Sequence, residues 1–291
     1  MPRAAHPRSG PEPLAAKVPE ILALFWVLKL LTTGMGEAMS DFLGSKSVPI
    51  AGLIGIVGIS LALWIQTQRT QAYNAVAYWF AVMMVAVFGT MAADGIHDGA
   101  HLGYAVTTPL FAIAVAVIFA LWYRSEGTLS IHTIVTRRRE AYYWAAVLAT
   151  FALGTAAGDL TATTLGLGFF PSALLFSALI LIPAIGWRAG WMNPVVAFWI
   201  AYVLTRPIGA SFADWLSKPP SITGLGLGDG TVSGLALIVF VALVAYTAIT
   251  KRDIQTPAIA HGYEEREQEE LARHAVRPQP HVEGVLGAEN A

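Results

Sequence analysis

Four aspartates recur in one relation to a tryptophan and a glycine: Trp26–Gly36–Asp41, Trp79–Gly89–Asp94, Trp144–Gly154–Asp159 and Trp199–Gly209–Asp214. Each copy reads Trp, nine residues, Gly, four residues, Asp. With 27 Gly, seven Asp and nine Trp in the chain, chance supplies on the order of 0.02 such matches, so the chain is a four-fold internal repeat. The copies differ at charged positions. Lys29 and Glu37 stand in the first, Arg206-Pro207 in the fourth, and His97, Asp98 and His101 follow the second. Carboxylate and carbonyl oxygens select Mn, Mg, Ca or alkali ions, so transient metal binding is expected at Asp41, Asp94, Asp159 and Asp214 with Glu37. Five nearby acids cannot all stay ionised in a low dielectric, and proton release on cation binding would give exchange directly. Arg206 is too deep to snorkel easily and should pair with Glu37 or a motif Asp, whereas Lys29 is expected to snorkel or to pair with an acid. His97 and His101 have the spacing of a helical metal pair, but without a third nearby ligand an exposed loop is the favoured reading.

The elements that hold these residues must be membrane helices. Of the 291 residues 55% are hydrophobic and 13% charged, against about 25% charged in an ordinary soluble domain. Windows of about 20 apolar residues give eight stretches, near 18–41, 49–66, 75–94, 109–122, 142–159, 171–187, 195–214 and 232–249. The fourth is expected to begin nearer Gly103. The fold class is thus an all-α polytopic bundle of eight transmembrane helices in four parallel two-helix repeats, about 18–70, 71–125, 140–190 and 194–250. Parallel units can pack as a pseudo-four-fold ring or as two pairs. The first stretch is too long for a cleaved signal, and no small-residue cleavage site follows it before Asp41.

Two helices per unit return the chain to its starting side, so the four Asp share one depth. Fifteen residues at 1.5 Å each put them about 22 Å from their Trp, in the outer third of the membrane. Trp26, Trp79, Trp144 and Trp199, with Trp64, Trp122 and Trp187, read as an interfacial aromatic belt. Gly36, Gly89, Gly154 and Gly209 and the small residues after them permit close helix packing. An acid adds nothing to such packing and costs about 2.5–3.5 kcal/mol at mid-membrane, which favours function over helix capping at each Asp. Outward segments rich in Gly (Gly44, Gly99, Gly103, Gly166, Gly168, and Gly224 to Gly230) are expected to fold back and line a wet cavity with carbonyls. Pro49, Pro109 and Pro171 are expected in the first turns of second helices.

Sorting Lys and Arg by segment gives fourteen on the side of the termini and only Lys46 and Lys218 on the other, which predicts a cytoplasmic N- and C-terminus. Residues 1–17 and 251–291 are polar and Pro-bearing and are expected to be disordered cytoplasmic segments around the 18–250 membrane domain. A short polar helix over Tyr263–His274 is conceivable from its glutamates.

The strings KVPEILALFWVLKLLTTGMGEAMSDFL, YWAAVLATFALGTAAGDL and FWIAYVLTRPIGASFADWL resemble an uncharacterised bacterial inner-membrane family of four tandem two-helix repeats, each with a signature Trp. The resemblance covers roughly 18–250 and implies repeat count and inner-membrane location, with no activity attached. The acids then favour a transporter, of a hard divalent or alkali cation, coupled to protons. The alternative is a scaffold or sensory protein whose Asp residues are structural. The net charge of -1 disfavours nucleic acid, and no GxxxxGK[ST] phosphate loop occurs in the Gly-rich segments, which disfavours nucleotide. No HExxH, GxSxG or Cys is present, so no enzyme and no cofactor are expected; the partners are the lipid bilayer and a transported ion.

Overall fold

The apolar stretches become helices α1 (Ala23–Lys46), α2 (Val48–Trp64), α3 (Ala75–Gly99), α4 (Tyr104–Glu126), α5 (Arg137–Asp159), α6 (Phe169–Leu179), α7 (Leu181–Arg188), α8 (Pro194–Ser217) and α9 (Asp229–Thr250). The structure, a computed structural model, describes residues 16–255, and among them there is no strand. The expectations for 1–15, for 256–291 and for a helix over Tyr263–His274 lie outside the described residues. Helices α6 and α7 are one span broken at Ile180, where Pro183 has no N–H to give to the carbonyl of Leu179. Among the described residues seven spans are long and apolar enough to cross a membrane, so the chain is a multi-pass membrane protein. The eighth, α1, carries Lys29, Glu37, Asp41 and Lys46.

Helix starts follow local signals. Asn74 accepts from the N–H of Ala77, Thr136 from Arg139 and Asn193 from Val195, each satisfying an orphan donor of a first turn. Pro49 and Pro171 lie in first turns as expected. Pro109 does not: α4 already begins at Tyr104, so Pro109 is inside the helix.

The first helices of the four units, α1, α3, α5 and α8, form a closed inner ring in that order, with α8 back against α1. The second helices lie outside it, and each packs on the first helix of the following unit: α2 on α3, α4 on α5, α6 on α8 and α9 on α1. Burial matches the two rings, at 56–61% for α3, α5 and α8 against 17–33% for the outer spans. Hence the units make a pseudo-four-fold ring and not two pairs.

The motif glycines are its contact points. A Cβ on Gly36 would meet the Cβ of Ala86 at 2.5 Å, one on Gly89 the Cβ of Phe151 at 2.8 Å, one on Gly154 the Cγ of Arg206 at 2.3 Å and one on Gly209 the Thr33 side chain. Each motif Gly therefore lets the next unit approach to a distance that any side chain would forbid. The same contact is made four times, and the fourth closes the circle.

Two outer segments differ from expectation. The motif Asp residues do not end their helices, because α1 runs on to Lys46, α3 to Gly99 and α8 to Ser217, while a wider turn, Leu160–Thr164, continues α5 past Asp159. The Gly-rich loop after α8 folds back, but with its N–H groups. Leu225, Gly226, Leu227 and Gly228 donate to the carbonyls of Trp215, Lys218, Leu216 and Ser217, so the loop satisfies a helix end that would otherwise be orphaned.

At the Trp end the flanking segments are part of the fold. Lys17, expected in a disordered segment, is 2% exposed, and its ammonium donates to Glu140 at 2.7 Å and to the carbonyls of Gln66 and Thr67. Gln66 donates to the other Glu140 oxygen at 3.3 Å. The N–H of Glu20 donates to the Asp253 carbonyl, and Tyr73 donates to the Asp253 carboxylate at 2.5 Å, so 251–255 is docked and not free.

Candidate functional site

Counting from each motif Trp, equivalent positions of the four units stack as layers along the ring axis. The first layer is aromatic. Phe25, Tyr78, Tyr143 and Phe198 precede the four Trp, and these eight rings pack edge-to-face and tilted, with Tyr202 among them. Trp79, Trp144 and Trp199 are buried and Trp26 partly so, which overturns their reading as interface anchors. They are core, for which a large ring in a closed helix bundle is well suited. Trp122 is also buried, whereas Trp64 and Trp187 do face outward.

Lys29 comes next and neither snorkels nor pairs with an acid. It is 1% exposed, its ammonium has no hydrogen-bond partner, and it sits 3.8 Å from the Phe151 ring centre and 4.2 Å from that of Tyr202. The aromatic faces supply the attraction that solvent would otherwise give.

Above it the axis is filled by Arg206. Its Nη2 donates to Glu37 at 2.6 Å, to Thr155 at 2.7 Å and to Thr90, and Nη1 donates to the Thr33 carbonyl at 3.0 Å. Glu37, Thr90 and Thr155 are equivalent residues, eleven after the Trp of units one, two and three. The fourth unit has Ala210 there and contributes the arginine from one turn earlier. One guanidinium thus binds a side chain from every other unit and closes the polar centre of the ring. Thr33 and Thr205 add a tie between α1 and α8 through the Thr33 hydroxyl, which donates to the Thr205 carbonyl at 3.2 Å.

One turn further the four aspartates surround the axis. Asp41, Asp94, Asp159 and Asp214 each lie within electrostatic range of Glu37. Asp41, Asp94 and Asp159 are half-buried, and Asp214 is 3% exposed. The tight subset is Glu37, Asp41 and Asp214, each offering an oxygen within 4.8 Å of the others, a spacing that one metal ion could bridge. Asp94 and Asp159 are not in that subset. One oxygen of Asp214 is buried without any hydrogen-bond partner. Lys218, just past α8, donates to Asp41 at 2.5 Å and to Asp229 at 3.1 Å. Burial alone would lower its pKa, but the charges of Asp41 and Asp214 outweigh this and raise it, so Lys218 is a firm cation.

The histidines are elsewhere engaged. His97 meets the Leu102 carbonyl at 2.9 Å through Nδ1 and stacks on Tyr104 at 3.9 Å, and His101 lies in the turn after α3 with φ 54°. Among the described residues neither belongs to a metal-binding group.

Reasoning from sequence missed three features. The Lys17–Glu140–Gln66 network had no signal beyond polarity. The aromatic before every motif Trp and the Glu/Thr/Thr/Ala series around Arg206 were visible as repeat columns.

The family model described as Repeat of Unknown Function (DUF347) matches residues 77–128, 142–189 and 197–253, each a second, third or fourth unit of the ring. The chain belongs to that family, and the first unit is assigned by its motif and its place in the ring. No curated protein and no solved structure matches.

Proposed function

We propose that this member of the DUF347 repeat family is a transporter of an inorganic cation, coupled to protons through its intramembrane carboxylates. Its place is the bacterial inner membrane, with both termini cytoplasmic, as the fourteen-to-two distribution of Lys and Arg favours. The observation that carries the reading is the triad of Glu37, Asp41 and Asp214 at the ring axis, with a buried Asp214 oxygen that no protein group satisfies. Buried oxygens without a partner are costly, and a bound cation or proton is what removes that cost.

The surroundings support direction. The triad lies at the Asp end, which charge assigns to the periplasm, while Arg206 and the aromatic layer close the axis on the other side. A cation entering from outside would replace protons on the carboxylates, and movement of the ring would then have to release the Arg206 contacts for passage inward. Hard oxygen donors without thiolate or imidazole favour Mn, Mg, Ca or alkali ions.

The test is flux of Mn²⁺, Ca²⁺ and Na⁺ into proteoliposomes under an imposed pH gradient, with the Asp214→Asn variant beside the wild type. Cation uptake that collapses the gradient in the wild type and is lost in Asp214→Asn is expected. Absence of flux for every ion, or equal flux in the variant, overturns the reading. The structural alternative, a scaffold, rests on the Arg206 contacts to all three other units, and predicts no flux with assembly lost in Arg206 variants.

A further inference from the structure

The two cations at the triad are held in opposite ways. Arg206 is 1% exposed and fixed to three other helices by side-chain and carbonyl contacts. Lys218 is 22% exposed and touches only carboxylates through its ammonium, Asp41 on α1 and Asp229 at the start of α9. Its backbone, by contrast, is locked. The Lys218 N–H donates to the carbonyl of Asp214, the same residue that carries the unsatisfied carboxylate oxygen, and its own carbonyl accepts from Gly226. Gly224 packs on that carbonyl so closely that a Cβ would stand 1.9 Å from it. The ammonium therefore bridges one carboxylate of the triad and one outside it, from a fixed backbone.

Charge counting then sets the class of ion. Glu37, Asp41 and Asp214, when ionised, carry three negative charges, and Arg206 removes one. A divalent cation neutralises the remainder, whereas a monovalent one leaves a buried charge unmatched.

Building on the cation-transport reading above, we infer that Lys218 is a tethered ammonium occupying the triad, and that a hard divalent cation binds by displacing it from Asp41 and leaving it on Asp229 alone. Asp229 is then the acceptor that keeps the ammonium paired after displacement. At the N-terminus of α9, Asp229 is itself favoured by the helix dipole. Lys218 thus sets a threshold on affinity, since every bound ion must first break its contact with Asp41.

The experiment is calorimetric titration of Mn²⁺ into the purified full chain in detergent, for wild type, Lys218→Met, Lys218→Arg, Lys46→Met and Asp214→Asn. Lys218→Met should bind Mn²⁺ about tenfold or more tighter than wild type, because the competitor is gone. Lys218→Arg should bind no tighter, since its forked cation holds a carboxylate at least as well. Lys46→Met removes a positive charge at the same end without touching the triad, and should leave affinity within about twofold. Equal or weaker binding in Lys218→Met, or equal tightening in Lys46→Met, overturns the displacement inference while leaving cation binding intact. No binding in either wild type or Lys218→Met, with both melting normally, overturns the transport reading as well. If Lys218→Met does not accumulate, Lys218→Gln provides the same comparison.

Discussion

Replacing Arg206 with Leu isolates the charge at the ring axis. Leucine keeps a Cβ and Cγ, the atoms that pack on Gly154, so the close approach of α8 to α5 survives and the guanidinium alone is lost. Glu37, 3% exposed, then keeps only the Thr90 hydroxyl at 3.3 Å, and the Thr33 carbonyl loses its Arg206 donor. Removing one partner of a buried ion pair costs about 3–5 kcal/mol, and each further buried group left without a bond adds about 1–3. The net loss should be about 3–5 kcal/mol. The second substitution, Glu37→Gln, removes the orphaned charge. The double variant Arg206→Leu/Glu37→Gln should recover about 2 kcal/mol or more of that loss, a coupling typical of residues in one hydrogen-bonded network. Thermal unfolding of the purified protein followed by size-exclusion fluorescence measures all three variants at pH 5.5 and 7.5. An Arg206→Leu protein that melts with the wild type, or a double variant no more stable than the single one, refutes the idea that the guanidinium holds the ring through Glu37.

The ring contacts make a second test. Gly209→Ala should lower stability by about 1–3 kcal/mol in the same melting assay, because its Cβ would overlap Thr33, whereas Gly95→Ala, with nothing within 4 Å, should be neutral or slightly stabilising. Reporter fusions after Arg137 and at the C-terminus should read cytoplasmic and one after Lys218 periplasmic; a periplasmic C-terminus would sink the charge-based orientation. Burial lowers the pKa of His132, in the turn Ile131–Thr133, and outweighs the nearby Gln255 side chain, which raises it. The folded state thus holds it neutral and the unfolded state takes up a proton, so stability is present above about pH 6.5 and declines below it. Melting between pH 8 and 5.5 should fall less for His132→Asn than for the wild type, and equal slopes would discount the histidine.

The period of the repeat was legible because Trp, Gly and Asp are rare enough for their spacing to stand out, and with it came the helix count, the parallel units and the pairing of Arg206 with an acid, though not which one. What those residues pack against was not. A Trp near a helix end reads equally as a lipid-interface anchor or as core, and only ring closure, which puts α8 against α1 across more than 160 residues of chain, turns these inward. Lys29 misled for a related reason. Sequence offers a buried lysine water or an acid, and its aromatic partners Phe151 and Tyr202 come from two other units. The Gly-rich loop after α8 was correctly turned back on the protein, but composition does not say whether a loop presents carbonyls or N–H groups. A helix end rich in unpaired carbonyls decides that in favour of the N–H.

The departures from four-fold symmetry follow from the space on the axis. Four equivalent helices bring four equivalent side chains to one point, and four guanidiniums cannot share it. One unit can supply the cation only if the others supply acceptors at the level it reaches. Arg206 leaves α8 one turn below that level, so Glu37, Thr90 and Thr155 face it from α1, α3 and α5, and the fourth unit needs no acceptor, which is where Ala210 stands. A single acid among the three acceptors balances a single arginine; the two remaining acceptors are neutral hydroxyls. The pair is thereby charge-neutral and immobile, and it forms a floor under the aspartates one turn further on. The next cation outward, Lys218, has no such set of equivalent partners and meets only carboxylates. Symmetry broken once at the floor builds a plug, and broken again at the mouth it leaves a lysine that can move.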